Sequence, residues 1–239
     1  MPLSDYYTIE NAGLQITPDQ ASNFAKTIAS DFNPLHDPDH RRFCVPGDLL
    51  FTALLQHYGI SQRMHVRFSG MVGADVTLRL EQDPGAAYEL RDSAGKTYLH
   101  ADRGGEITHD KPLIERLAGS YVAFSGQNFP HILVPLFKEH GVMINLERPM
   151  VIYESMAFEL QRLDIPNVGL RLAGSHMNVE GKRGDVTLDF EFLCGETVVG
   201  TGHKRLLLSG LRPYEQEGMD QLVEAYTARR DNYLSGLAL

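Results

Sequence analysis

Cysteine is scarce in this chain, two in 239 residues, and Cys44 and Cys194 lack the spacing of a metal-ligand pair. They can close at most one bridge, so neither a disulfide framework nor a thiolate metal site is expected to organise the fold. The count fits packed or free thiols in a reducing compartment. Basic residues are also outnumbered: 22 Lys and Arg against 31 Asp and Glu leave a formal charge of −9. Binding a phosphate backbone needs a basic surface, so nucleic acid is not an expected partner. A local basic patch can still hold a phosphorylated small molecule. No apolar run approaches the roughly 18–20 residues of a membrane-crossing helix. Residues 1–14 lack the basic flank and apolar run of a secretory signal. The expectation is a cytoplasmic protein without membrane insertion.

What remains is an ordinary globular balance, 43% hydrophobic and 22% charged. The length suits one large domain or two of roughly 100–120 residues. The spacing predicts a helix over 16–30, with Thr17 as N-cap, Pro18 at the first helical position and Gln20 completing a capping box. Asn33-Pro34 excludes its continuation, because the residue before a proline is pushed towards extended conformations. Residues 31–46 read mostly as loop. A second helix runs from about Asp48 to Tyr58 and closes at Gly59. Leu49, Leu50, Phe51, Ala53, Leu54, Leu55 and Tyr58 cover almost its whole circumference, the mark of a helix buried on most sides.

Strands follow. Met64, Val66 and Phe68, then Val76, Leu78 and Leu80, alternate with polar residues at period two, as half-buried antiparallel strands do. The pattern then repeats. A helix at about Pro130 to Glu139 ends in His140-Gly141 much as the earlier one ends in Tyr58-Gly59. Met156-Ala157-Phe158 and Leu170-Arg171-Leu172 stand 92 positions after Met64-His65-Val66 and Leu78-Arg79-Leu80. Each half reads as a buried helix followed by an antiparallel meander. A helix wrapped by a curved antiparallel sheet buries its whole apolar surface, which points to an α+β double hotdog. In it two units merge their sheets and remove exposed edges. The expected units are 1–110 and 111–239, the second ending in an amphipathic surface helix over 215–239. Pairing inside one chain makes the protein a monomeric pseudo-dimer or, if two chains associate, a homodimer.

The chemistry concentrates in Asp31-Phe32-Asn33-Pro34-Leu35-His36. Asp and His five positions apart across a proline-constrained loop can converge on one water molecule. Hydrating a double bond conjugated to a thioester needs a base for water, an acid for the α-carbon and donors for the enolate oxygen. An Asp/His pair can share the proton work. The amides of Gly47 and Asp48, at the mouth of the buried helix, lie where the helix dipole favours negative charge.

Ile16-Thr17-Pro18, Phe24-Ala25 and Ser30 through His36 together resemble the hydratase motif of MaoC-like (R)-specific enoyl-thioester hydratases, in which an Asp-x-Asn-Pro-x-His loop precedes the central hotdog helix. The close match covers about 35 residues. The resemblance implies water-activating roles for Asp31 and His36 and loop shaping by Asn33 and Pro34. It also implies an oxyanion hole at Gly47 of Val45-Pro46-Gly47, with Asn33, Pro34, Pro46 and Asp48 lining the substrate. Relatives of that family convert trans-2-enoyl thioesters of coenzyme A or acyl carrier protein to (R)-3-hydroxyacyl products without a cofactor, which implies acyl-CoA or acyl-ACP as the partner and fatty acid metabolism as the setting. The chain departs from the pattern at Ser30, where glycine is usual, and in the short stretch from Asp37 to Phe43, so it reads as a divergent branch.

Alternatives stay open. Asp31 capping Asn33 and His36 solvated beside Asp37 would be plain loop chemistry. His36, Asp37, Asp39 and His40 form a thin metal set, and no metal is expected. Cys44 fits packing better than nucleophilic work. The C-terminal half carries no matching Asp/His loop and is expected to act as scaffold and acyl-pocket wall. Arg41, Arg42, Arg63 and Arg67 are candidates for coenzyme A phosphates, or solvated charges. The rival functions are an acyl-CoA thioesterase using a carboxylate such as Asp48, and a non-catalytic acyl-thioester binding module.

Overall fold

The computed structural model of the protein describes residues 2–146 and 149–237. After a 3₁₀ turn, β1 (Thr8–Glu10) and β2 (Gly13–Gln15) make a hairpin. Helix α1 (Pro18–Phe24) starts at the expected capping box: the Thr17 hydroxyl accepts from the Gln20 amide at 3.2 Å, and the Gln20 side chain accepts from the Thr17 amide at 3.0 Å. The helix widens into a π-helical stretch over Ala25–Ala29 and stops at Ser30, whose φ of 55° is left-handed. Helix α2 (Gly47–Tyr58) follows the loop and closes at Gly59. Gly59 has φ +80°, and a Cβ there would lie 2.5 Å from the Thr108 carbonyl, so only glycine fits.

The first meander is β3 (Ile60–Phe68), β4 (Leu78–Arg79), β5 (Ala87–Arg91) and β6 (Thr97–Thr108). The connection is α3 (Lys111–Gly126), the short helical segment α4 (Asn128–His131) and α5 (Leu133–Glu139), followed by β7 (Val142–Met143). The second meander is β8 (Val151–Leu160), β9 (Gly169–Glu180), β10 (Arg183–Cys194) and β11 (Thr197–Ser209). β12 (Arg212–Pro213), which pairs with β7, leads into α6 (Gln216–Leu237).

Among the described residues ten strands form one sheet in the order β1-β2-β4-β5-β6-β3-β8-β11-β10-β9. The order is symmetric about the β3/β8 pair: outward from it lie β6, β5 and β4 on one side and β11, β10 and β9 on the other. β3 and β8 run antiparallel with Met64 opposite Phe158 and Val66 opposite Met156. The segments that repeat in sequence therefore take equivalent places, and the fold is a double hotdog. All but four residues of α2 are buried, from Leu49 through Leu55 and at Tyr58. Each of its large apolar side chains contributes on the order of 1.5–3 kcal/mol of transfer free energy. A second cluster gathers Leu133, Phe137, Val186, Leu206 and Met219 around α5, and Tyr153 packs against both.

Three expectations change. The strand over Val76–Leu80 shrinks to Leu78–Arg79. The helix expected over Pro130–Glu139 is split between the end of α4 and α5, whose start is set by Pro135, tolerated only within a first turn. The amphipathic tail is helical over Gln216–Leu237, while residues 238–239 lie outside the described residues.

Candidate active site

The stop at Ser30 turns the chain into the loop that carries the Asp/His pair. The Asp31 amide donates back to the Ala25 carbonyl at 2.8 Å. The Asp31 carboxylate accepts from the Asn33 amide at 2.9 Å through Oδ1, and the Asn33 side chain accepts from the Leu35 amide at 3.1 Å. Pro34 opens a 3₁₀ turn, Pro34–His36, that swings the imidazole back over Asp31. The turn chemistry weighed as the plain alternative is thus present, and it uses one oxygen of Asp31 and leaves the other.

His36 Nδ1 lies 2.6 Å from the Cys44 carbonyl. A carbonyl oxygen can only accept, so Nδ1 carries a proton, and in its neutral form the ring presents a bare Nε2. That Nε2 faces Asp31 Oδ2 at 3.6 Å, with side-chain exposures of 14% for His36 and 31% for Asp31. Two acceptors facing each other across this gap do not bond directly. A water or hydroxyl set off the line between them can donate one hydrogen to each.

Pro46 is the buried N-cap residue of α2. Gly47 and Asp48 open the helix, so their amides have no carbonyl to donate to within it. Gly47 packs under an aromatic pair: a Cβ there would meet Tyr153 Cδ1 at 3.0 Å and Phe68 Cε1 at 3.2 Å. Asp48 turns inward. Its Oδ2 accepts from the Ser125 hydroxyl at 2.5 Å and lies 4.0 Å from Lys204 Nζ. Lys204 also bonds Ser125 and stands over the Tyr153 ring, 3.9 Å from its centroid. Tyr121 and Tyr153 bond through their hydroxyls. Burial pushes the Asp48 carboxyl up, against the opposing pull of Lys204 and Ser125, and pushes the Lys204 ammonium down. Asp48 Oδ1 is buried with no hydrogen-bond partner. The charge of Asp31 adds to the upward push on Asp48.

Sequence reasoning missed Lys204 and Ser125, although signals for both are present. Lys204 shares its inward face with Leu206 and Leu208 at period two, and Ser125 follows Leu117, Tyr121 and Val122 on the buried face of α3.

The remaining candidates separate from this centre. Asp37 pairs with Lys26 at 2.9 Å and with Arg229, so it is not open to a metal. Burial alone would raise the Asp37 carboxyl, but the two cations outweigh it and hold it low. Burial pushes the Cys44 thiol up to about 11, away from nucleophilic use. Arg63 and Arg67 project from β3 on the face opposite buried Met64 and Val66. Arg63 lines a groove of about 690 Å³ with His65, Asp102, Glu159 and His203, on the far side of the sheet from α2. No helix among the described residues is long and apolar enough to cross a membrane.

The model of a family described as protein of unknown function, DUF3581, matches residues 1–217. The chain belongs to that family. No curated protein matches it. Among solved structures it is similar to a conserved hotdog-fold protein of unknown function from Alicyclobacillus acidocaldarius, at 8% identity and TM-score 0.46, covering 87% of this chain and 97% of that one. It is also similar to a MaoC-like dehydratase at 8% identity and TM-score 0.44, covering 85% and 97%. An acyl-CoA thioesterase II from Mycobacterium marinum gives 10% identity and TM-score 0.42, covering 90% and 98%. The DUF3581 match ends just inside α6.

Proposed function

We propose that this DUF3581 member acts on acyl thioesters, hydrating a trans-2-enoyl thioester to the (R)-3-hydroxyacyl product or running the reverse dehydration. The single observation that carries this reading is the pair of free acceptors, His36 Nε2 and Asp31 Oδ2, held 3.6 Å apart. In the forward direction a water donates to both. One water proton passes to the pair as the hydroxyl oxygen bonds the β-carbon, and the π electrons move to the thioester oxygen. The pair then returns a proton to the α-carbon as the carbonyl reforms, so the elements of water are added and nothing is oxidised or reduced. General acid–base work of this kind contributes about 10²–10⁴-fold. The amides of Gly47 and Asp48 receive the transient enolate oxygen, where oriented donors are most effective. With the Lys204 ammonium 4.0 Å away, an ionised Asp48 beside the helix mouth is compensated and does not add a lone negative charge to repel the enolate.

A second reading has one specific observation behind it. Asp48 Oδ1 is a buried carboxylate oxygen without a partner at the helix mouth, where a thioesterase would need a group to activate water. The two reactions separate in one assay. Hydration removes the conjugated enoyl absorbance of trans-2-enoyl-CoA without releasing free thiol, whereas thioester hydrolysis releases thiol from saturated and unsaturated acyl-CoA alike. Loss of absorbance without thiol supports the hydratase. Thiol release favours the thioesterase, and saturable acyl-CoA binding with neither signal favours a binding module.

A further inference from the structure

Asp31 is held from both sides by a helix almost two hundred residues further along the chain. The Tyr226 hydroxyl of α6 sits between the two peptide groups that flank Asp31. It accepts from the Phe32 amide at 3.2 Å and donates to the Ser30 carbonyl at 3.3 Å. One turn on, Arg229 Nε donates to the Phe32 carbonyl at 3.2 Å, and its other arm pairs with Asp37. The Phe32 ring, 2% exposed, packs edge-on against Tyr226 and Tyr233 with centroids 6.1 and 5.8 Å away. Residues 30–33 lie outside the sheet, and the Ser30 carbonyl and the amide and carbonyl of Phe32 find their partners in side chains of α6. Ser30 also holds a left-handed conformation that non-glycine residues adopt only where the surroundings enforce it. Here α6 supplies much of that surrounding structure. Burial, and then the charge of Asp31, push the Tyr226 hydroxyl up to about 12, so it remains a donor throughout the neutral range.

We infer that α6 is a clamp for the candidate catalytic loop, with Tyr226 and Arg229 as positioning residues that set where Asp31 stands relative to His36. The role assigned to Asp31 rests on the hydratase reading, whereas the clamp itself can be measured without it. Neither residue reaches the reacting atoms. Tyr226 acts through the peptide groups on either side of Asp31 and Arg229 through the next one, at the Phe32 carbonyl, and a displacement of about 1 Å at the reacting group is enough to cost roughly 10²-fold in rate.

The test uses the full-length protein with Tyr226→Phe, which removes one hydroxyl and keeps the ring against Phe32 and Phe129, and Arg229→Ala. Hydrogen exchange at the Phe32 and Asn33 amides is expected to speed up by roughly tenfold in each variant, the scale of one lost hydrogen bond. In Tyr226→Phe, kcat for enoyl-CoA hydration is expected to fall about tenfold with KM and thermal midpoint unchanged. Guanidinium ion added to Arg229→Ala is expected to restore part of its kcat. Unchanged exchange and unchanged kcat in both variants would overturn the clamp. A wild type that turns over no enoyl thioester would remove the hydratase reading, and exchange at Phe32 would still decide the clamp: acceleration supports it and no acceleration overturns it.

Discussion

Lys204 and Asp48 stand 4.0 Å apart, one on a strand of the second meander and the other in the first turn of the helix that the first meander wraps. Lys204 is buried and Asp48 largely so, with 13% of its side chain exposed, and the Ser125 hydroxyl bridges them. Removing either partner strands the other in a low-dielectric site. We expect Lys204→Met or Asp48→Asn alone to lower unfolding free energy by about 3–5 kcal/mol, the usual cost of breaking a buried pair. The double variant should lose clearly less than the sum. Denaturant titration of the four proteins checks this, and additive losses would show that the pair is not coupled.

Gly47 and Gly119 predict opposite outcomes for one change. A Cβ on Gly47 meets Tyr153 and Phe68 at 3.0 and 3.2 Å, while on Gly119 it meets nothing within 4 Å. Gly47→Ala should cost about 1–3 kcal/mol through overpacking and lower kcat/KM by displacing the rings beside the helix mouth. Gly119→Ala, inside α3, should add about 0.5–1 kcal/mol through restricted unfolded-chain freedom. Thermal melts of both variants read the two signs directly.

Asp37 ties the far end of the loop to Lys26 and Arg229, and its carboxyl is held below the ordinary carboxylate value. A depressed pKa contributes stability that is fully present above the unfolded value of about 3.9 and is lost as pH falls through the folded value. Wild type should therefore lose more thermal stability between neutral pH and about pH 3 than Asp37→Asn does. Parallel slopes in the two proteins would contradict the assignment.

Cys44 supplies a backbone carbonyl to His36, and its thiol is pushed up to about 11. Cys44→Ala keeps that carbonyl. Turnover within about twofold of wild type is expected, together with slow alkylation of the thiol near neutral pH. A loss of activity comparable to that of His36→Ala would give the sulfur a role this account does not.

Much of the fold was legible because local signals agreed with one another. Thr17, Pro18 and Gln20 marked a helix start, the apolar circumference of α2 required a wrapping sheet, and Leu78 and Leu170 occupied equivalent strands. The failures have physical causes. Val76–Leu80 alternates like a strand, yet only Leu78 and Arg79 pair as strand residues, and pairing is not a local property. Pro135, inside the stretch expected to be one helix, fixes where α5 can begin. Asp31 and His36 were legible as a pair because the turn between them is short. Lys204, Ser125, Tyr226 and Arg229 come from distant segments, and only the packed chain brings them to that loop. The inward registers of Lys204 and Ser125 are the hints that the sequence holds.

The most direct test of the central claim is the rate of trans-2-enoyl-CoA hydration, followed by loss of the conjugated absorbance, in wild type, Asp31→Asn and His36→Ala. The account predicts turnover by wild type and a fall of about 10²–10⁴-fold in each variant, with the folded state retained. Equal rates in the three proteins would contradict it, because the two acceptors 3.6 Å apart would then have no part in the reaction.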